Sequence, residues 1–152
     1  DAARKQYLGI LSFKTGASLP DGAVITSVTL KVRKGSVVGG GDPLTMFAGF
    51  MADVKKGFFG TNGGVQAADF QSPAGITVGP FAPALISSWY SLNLTATKNI
   101  INKLSGSGGL TQIRLRFKLD DNNNATANYL SLYSGDAGAA ARPQLIVQYY
   151  VP

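Results

Sequence analysis

The side chains of this 152-residue chain that could do chemistry are limited to Asp, Lys, Arg, Tyr and the hydroxyl residues, because the chain has no Cys and no His. All eight acidic residues are Asp. A Ser-His-Asp triad, a thiol nucleophile and a thiolate or His-rich metal site are therefore excluded. A glycosidase carboxylate pair would have to come from Asp alone, so hydrolase activity is disfavoured. A lyase that uses Lys, Arg and Tyr stays open, but a non-catalytic protein is the favoured interpretation.

One polar stretch has the ligand types that calcium prefers. Asp120, Asn122 and Asn124 stand at alternate positions, as the first three oxygen ligands of a calcium loop do. Ala125 stands where such a loop has glycine, and no Glu follows. The alternative is a turn in which Asp and Asn side chains accept hydrogen bonds from their own backbone. Ca²⁺ is the only cofactor that the sequence suggests.

A row of basic residues gives a second candidate site. Arg114, Arg116 and Lys118 alternate along one strand face, which Lys31 and Arg33 could extend. Arginine forks suit the carboxylates of an acidic polysaccharide, and tyrosines can stack on sugar rings. The alternative is a solvated strand face, and no nucleic-acid recognition element accompanies the row. The predicted glycan site comprises Arg114, Arg116, Lys118, Tyr129 and Tyr133.

The elements that would position these residues are short strands. Low charge, 19 glycines and the absence of Glu disfavour surface helices. Strict alternation of apolar and polar residues predicts strands over 24–34 and 110–119, and 7–13 is apolar on both faces, as in a central strand. One short helix is predicted over 95–104, and the core is predicted to contain Trp89, the only Trp. Seven or eight strands with regular turn signals predict an antiparallel β-sandwich that forms one domain over 1–152, with 1–6 as a lead-in tail.

Three stretches together resemble a known family. They are YLGILSF followed by LPDGAVITSVTLKV, then LTQIRLRFKLDDNNNATANYLSLYSG, then ARPQLIVQYY. This combination resembles DNRLRE-type extracellular domains, although Arg114-Leu115-Arg116-Phe117 replaces the literal motif. The resemblance implies a jelly-roll-like sandwich in an extracellular or cell-surface protein, and some relatives are classed as carbohydrate-binding modules.

The resemblance also implies a gap in the sandwich. Domains of this kind usually have one or two strands ahead of the segment that matches 7–13, and only six residues precede it here. We therefore expect the opening strands to be supplied by a neighbouring chain or by another part of a larger secreted protein. The predicted assembly groove comprises Tyr7, Leu8, Ile10, Leu11, Phe13, Leu145, Val147 and Tyr149.

The expected function is that of a structural module which assembles by strand complementation, and the alternative is a polysaccharide-binding module. The expected partners are copies of the same chain, adjoining parts of a secreted protein, or a polysaccharide. Nucleic acid is not expected as a partner. Membrane insertion is not expected either, because no apolar run approaches 18 residues.

Overall fold

A computed structural model describes residues 6–152. The predicted lead-in tail lies outside the described residues except for Gln6. The eight strands are β1 (Gly9–Phe13), β2 (Val24–Val38), β3 (Phe50–Lys56), β4 (Ile76–Phe81), β5 (Trp89–Asn93), β6 (Thr111–Phe117), β7 (Tyr129–Leu132) and β8 (Gln144–Tyr150). The helical elements are a one-turn α-helix, α1 (Pro43–Met46), and short 3₁₀ turns at Thr15–Ala17, Ala67–Phe70, Thr95–Ile100 and Gly106–Gly109.

The strands form two antiparallel sheets, which confirms the predicted all-β sandwich. The first sheet has the order β1-β6-β3-β4. The second has the order β5-β2-β7, and β8 also pairs with β2. Strand β2 is long enough to pair with two strands along the same edge, with β8 over 24–31 and with β7 over 34–38.

The core lies between the sheets because each central strand buries alternate side chains. On β2, Val28, Leu30 and Val32 have no exposed surface. The other sheet contributes Ile113 and Leu115 from β6, which belong to the same cluster of buried apolar side chains. This period of two is the pattern that predicted both strands.

The helix prediction over 95–104 is wrong in type and extent. The structure has a 3₁₀ helix over Thr95–Ile100, and the hydroxyl of Thr95 accepts a hydrogen bond from the Val28 backbone. The α-helix instead follows Asp42, where the sequence analysis predicts no helix. Asp42 accepts a hydrogen bond from the Leu44 backbone, and proline occupies the first helical position. Both features are typical helix starts.

One prediction of burial and one of strand position are also wrong. Trp89 was expected in the core, but β5 turns Tyr90 inward with 3% exposure, and Trp89 stays half-buried on the outer face. The second concerns β1. Its apolar residues on both faces predicted a central strand, whereas within the described residues β1 pairs only with β6 and lies at the sheet edge.

Candidate functional site

The two sheets end side by side at β1 and at β7 and β8, and we call this region the open side. Strand β1 is one edge of the first sheet, and β7 and β8 pair with the same strand of the second. Among the described residues, no strand pairs with the outer edge of β1 or of β8. The open side is therefore one of the two sides on which the sandwich presents edge strands with unpaired main chain.

The ladder of the first sheet shows which groups of β1 face outward. The Lys118 N–H donates to the Gly49 carbonyl, and the Leu110 carbonyl accepts from the Gly57 N–H. The N–H and C=O groups of even-numbered β6 residues thus point toward β3, and those of odd-numbered residues hydrogen bond to β1. Since hydrogen-bonded pairs alternate in an antiparallel ladder, the main-chain groups of Ile10 and Ser12 point away from the sheet.

The same reasoning applies to β8. The Arg33 carbonyl accepts a hydrogen bond from the Tyr133 N–H. The N–H and C=O groups of odd-numbered β2 residues therefore point toward β7 and β8. The partners of these residues on β8 have even numbers, as in the pairs Thr29–Ile146 and Lys31–Gln144. The main-chain groups of the odd-numbered residues between 145 and 149 therefore point outward.

Apolar side chains line the open side between these two edges. Two cavities lie along it, of about 250 Å³ beside the start of β1 and about 290 Å³ beside its end. All eight residues of the predicted assembly groove line them: Tyr7, Leu8, Ile10 and Leu11 the first, and Phe13, Leu145, Val147 and Tyr149 the second. The structure thus brings together two segments that are more than 130 residues apart.

Sequence reasoning missed one wall of the first cavity. Leu130 and Leu132 of β7 line it and pack against the core. Their alternation with Tyr129 and Ser131 was visible in the sequence. What the sequence did not show is that β7 continues along the same side of β2 as β8.

The predicted basic row does not form a solvated face. Arg114 is 7% exposed, and its guanidinium lies 2.8 Å from the carboxylate of Asp53. Residues 57–73 cover this outer face, and Arg114 donates to the carbonyls of Asp69, Phe70 and Ser72. Buried Arg114 therefore anchors a loop and offers no free fork to a ligand.

The same loop is held at two further points. The buried ring of Phe59 lies under the Arg114 guanidinium, with 4.5 Å between that group and the ring centroid. The Gln112 side chain accepts a hydrogen bond from the Phe59 backbone and donates to Ser12 and Gly63. Each buried polar atom of Gln112 thus has a partner, as burial requires.

Asp53 is the carboxylate at the centre of this polar cluster. Burial raises the pKa of Asp53, but hydrogen bonds from Thr77 and Arg114 and the charges of Arg116 and Arg114 outweigh that effect. The pKa of Asp53 therefore lies below its ordinary value. An ionised carboxylate held by two guanidiniums is a structural ion pair, and it is a poor general acid.

The predicted glycan residues are spread over two sheets. Arg116 is half-buried beside Asp53, 3.3 Å from its carboxylate, and Lys118 is exposed beyond the end of β6. Tyr129 packs against Tyr7, and Tyr133 lies beneath Arg33 on the second sheet. The five residues therefore do not share one surface.

A different basic and aromatic surface lies on the outer face of the second sheet. The Lys31 ammonium lies 5.3 Å from the Trp89 ring centroid, and the Arg33 guanidinium lies 5.3 Å from the Tyr133 ring centroid. Within the described residues, neither cation forms an ion pair. We call these four residues the basic face.

The predicted calcium loop is a series of side-chain turns. The Asn122 side chain accepts from the Asn124 backbone, and the Asn124 side chain accepts from the Thr126 backbone. Asp120 accepts a hydrogen bond from the Gln6 side chain. Two of the three predicted ligands thus accept hydrogen bonds from nearby backbone, as the turn alternative requires, and the third accepts from a distant side chain. No group of three or more His, Cys, Asp or Glu side chains comes together within residues 6–152.

Over residues 6–152, no helix has the length and apolarity required to span a bilayer. Comparisons with protein-family models, curated proteins and solved structures find no match to this chain.

Proposed function

We propose that this protein is a non-catalytic structural module whose open side accepts an extended segment of a neighbouring chain or of another part of the same protein. The observation that carries the proposal is the open side itself. Outward main-chain groups line both of its edges, and two apolar cavities lie between them. An added strand would pair with an edge and place alternate side chains in the cavities.

The energetics favour occupation of the open side. Leu11, Phe13, Leu145 and Val147 pack against the core but keep part of their surface in water. Burying a fully exposed side chain of this kind contributes about 1.5–3 kcal/mol, and covering the remaining surface of a partly buried one contributes a fraction of that. An incoming strand would cover several of them and also satisfy edge N–H and C=O groups, so apolar and main-chain terms act together.

The proposal includes a setting outside the cell. The resemblance to DNRLRE-type domains, the low content of charged residues and the lack of Cys are consistent with an extracellular or surface module. The lack of His, Cys and Glu supports a non-catalytic role, and the ion-paired state of Asp53 supports it further.

The test is binding of a probe strand to the purified chain. The probe is a labelled synthetic peptide of seven alternating Val and Thr residues with Glu at both ends, and fluorescence anisotropy reports binding. Ser12→Pro removes an outward N–H of β1, and proline is tolerated at such an edge position. Ser12→Ala is the matched control, because it also loses the Gln112 hydrogen bond but keeps the N–H.

We expect wild type and Ser12→Ala to bind the peptide, and Ser12→Pro to bind about tenfold more weakly or not at all. Absence of binding to wild type, or equal binding to all three proteins, would refute strand addition at β1.

A second candidate function rests on the basic face. Lys31 and Arg33 are cations held over aromatic rings, and neither is neutralised by a carboxylate of the described residues. Such a surface suits the carboxylates of an acidic polysaccharide. It replaces the Arg114 row as the place where glycan binding should be sought.

A further inference from the structure

The side of the sandwich opposite the open side carries an exposed apolar segment. Strands β4 and β5 form the far edges of the two sheets, and residues 82–88 connect them. Within this connection Leu85 is 45% exposed and Ile86 is 70% exposed. Large apolar side chains at this exposure commonly mark a contact surface when they are grouped. We call residues 82–86 the donor segment.

Part of the main chain of the donor segment is available for pairing, since Pro83 has no N–H and both main-chain groups of Ile86 bond to Trp89. Residues 82–85 lie outside any helix or strand, and Ile86 bridges only to Trp89 across a two-residue turn. Ser87 and Ser88 both have positive φ, as in the tight turns that join hairpins. Among the described residues, no backbone group accepts from the N–H of Ala82, Ala84 or Leu85. The segment has five residues, the same number as β1.

Charge allows this segment to approach the open side of another copy. The chain carries a net charge of +6, so copies repel one another at most orientations. No charged residue lies between Asp69 and Lys98, and none follows Arg142. The first cavity has one charged lining residue, Arg116, which is paired with Asp53. The donor segment and the first cavity are thus free of unpaired charge, whereas Lys14 lines the second cavity.

We propose that the occupant of the open side is the donor segment of a second copy of this chain. The inference rests on the proposed function, since it names the partner that fills the same site. Because the donor segment and the open side lie on opposite sides of the sandwich, each copy donates its segment to one neighbour and accepts the segment of another. Such a contact is heterologous, and it extends into a filament unless the rotation between copies closes a ring.

The experiment separates donor from acceptor by mutation. Ile86→Asp places a charge on the donor segment at a side chain that is 70% exposed and outside the core, and Ser12→Pro blocks the acceptor edge. Val65→Asp is the matched control, since Val65 is 67% exposed and lies outside both surfaces. Tyr149→Pro blocks the β8 edge and serves as a second acceptor variant. Association is measured by sedimentation velocity across concentration, and circular dichroism verifies the fold of each variant.

Wild type and Val65→Asp should form concentration-dependent oligomers, and Ile86→Asp alone and Ser12→Pro alone should stay monomeric. An equimolar mixture of the two defective variants should stop at dimers, because the donor of Ser12→Pro fits the acceptor of Ile86→Asp and no other contact remains. If Ser12→Pro fails to fold, the same mixture is made with Tyr149→Pro.

The inference is overturned if Ile86→Asp associates like wild type, or if the mixture stays monomeric. It is also overturned if wild type remains monomeric at all concentrations while binding the Val/Thr peptide. That last result would leave the proposed function standing with a donor other than a second copy. Absence of both peptide binding and association would remove the two proposals together.

Discussion

At the scale of single residues, the buried ion pair between Arg114 and Asp53 matters most, because it anchors a loop. Arg114 contacts Asp53 and three carbonyls of residues 69–72, and it covers the ring of Phe59. One guanidinium thus ties the 57–73 loop to β6 and β3. A buried charge of this kind is stable only while its partner remains ionised.

Asp53→Asn should therefore be strongly destabilising. The substitution leaves the Arg114 guanidinium buried without its counter-charge, and breaking a buried pair in this way costs about 3–5 kcal/mol. Urea unfolding followed by tryptophan fluorescence measures the change. Asp136→Asn, at an exposed position, is the control and should change stability by less than about 0.5 kcal/mol. Equal midpoints for the two variants would contradict the role assigned to Asp53.

The lowered pKa of Asp53 predicts a pH dependence with a definite sign. A carboxyl whose folded-state pKa lies below its ordinary value of 3.8 stabilises the fold fully above that value. The contribution is lost as the pH falls from 3.8 through the lower folded-state pKa. Wild type should lose this part of its stability in acid, and Asp53→Asn should lack that component. Parallel stability profiles of the two proteins over this range would contradict the assignment.

Among the elements, the turn after β1 shapes the floor of the second cavity. Thr15, Ser18 and Leu19 line that cavity, and Gly16 packs against the segment at 104–109. A Cβ at Gly16 would lie 2.1 Å from the Leu104 carbonyl oxygen, which is far inside van der Waals contact.

Gly16→Ala should destabilise the protein by about 1–3 kcal/mol, since backbone must move to admit the methyl group. Gly22→Ala is the control, because a Cβ there meets nothing within 4 Å. Thermal unfolding distinguishes the two. A Gly16→Ala protein as stable as the control would show that the contact between the two turns is loose.

If the protein binds an acidic glycan, we expect the glycan to bind at the outer face of β2. Retardation in gels containing polygalacturonate should be reduced by Lys31→Ala combined with Arg33→Ala. The control pair, Lys56→Ala with Lys98→Ala, removes the same charge from exposed positions elsewhere and should retain retardation. Equal loss in both pairs would indicate attraction by net charge alone, and no retardation of wild type would remove this candidate function.

At the scale of the whole molecule, the charge of +6 opposes contact between copies, whereas the open side and the donor segment favour it. Salt shortens the range of the repulsion to about 8–10 Å at physiological strength and leaves apolar burial intact. The association proposed above should therefore become tighter as NaCl rises from about 0.01 M to 0.15 M. Sedimentation velocity at the two salt concentrations tests this. Weakening by salt would instead indicate a contact held by opposite charges.

The sequence alone determined the elements whose signal is local. The period of two in β2 and β6 identified these strands and their apolar faces. The groove residues were predicted from the family resemblance, and they line the two cavities of the open side. The apolar faces follow from side-chain alternation, which every strand shows whatever its neighbours are.

Only the tertiary structure decided where each strand lies and what covers its outer face. The alternation of β6 was correct, yet Arg114 is buried because a loop about 45 residues earlier in the chain folds over it. Strand β1 lies at an edge, and the donor segment lies on the opposite side, because strand order depends on contacts between distant parts of the chain. Local patterns encode which face of a strand is apolar, whereas its neighbours are set by the packing of the whole molecule.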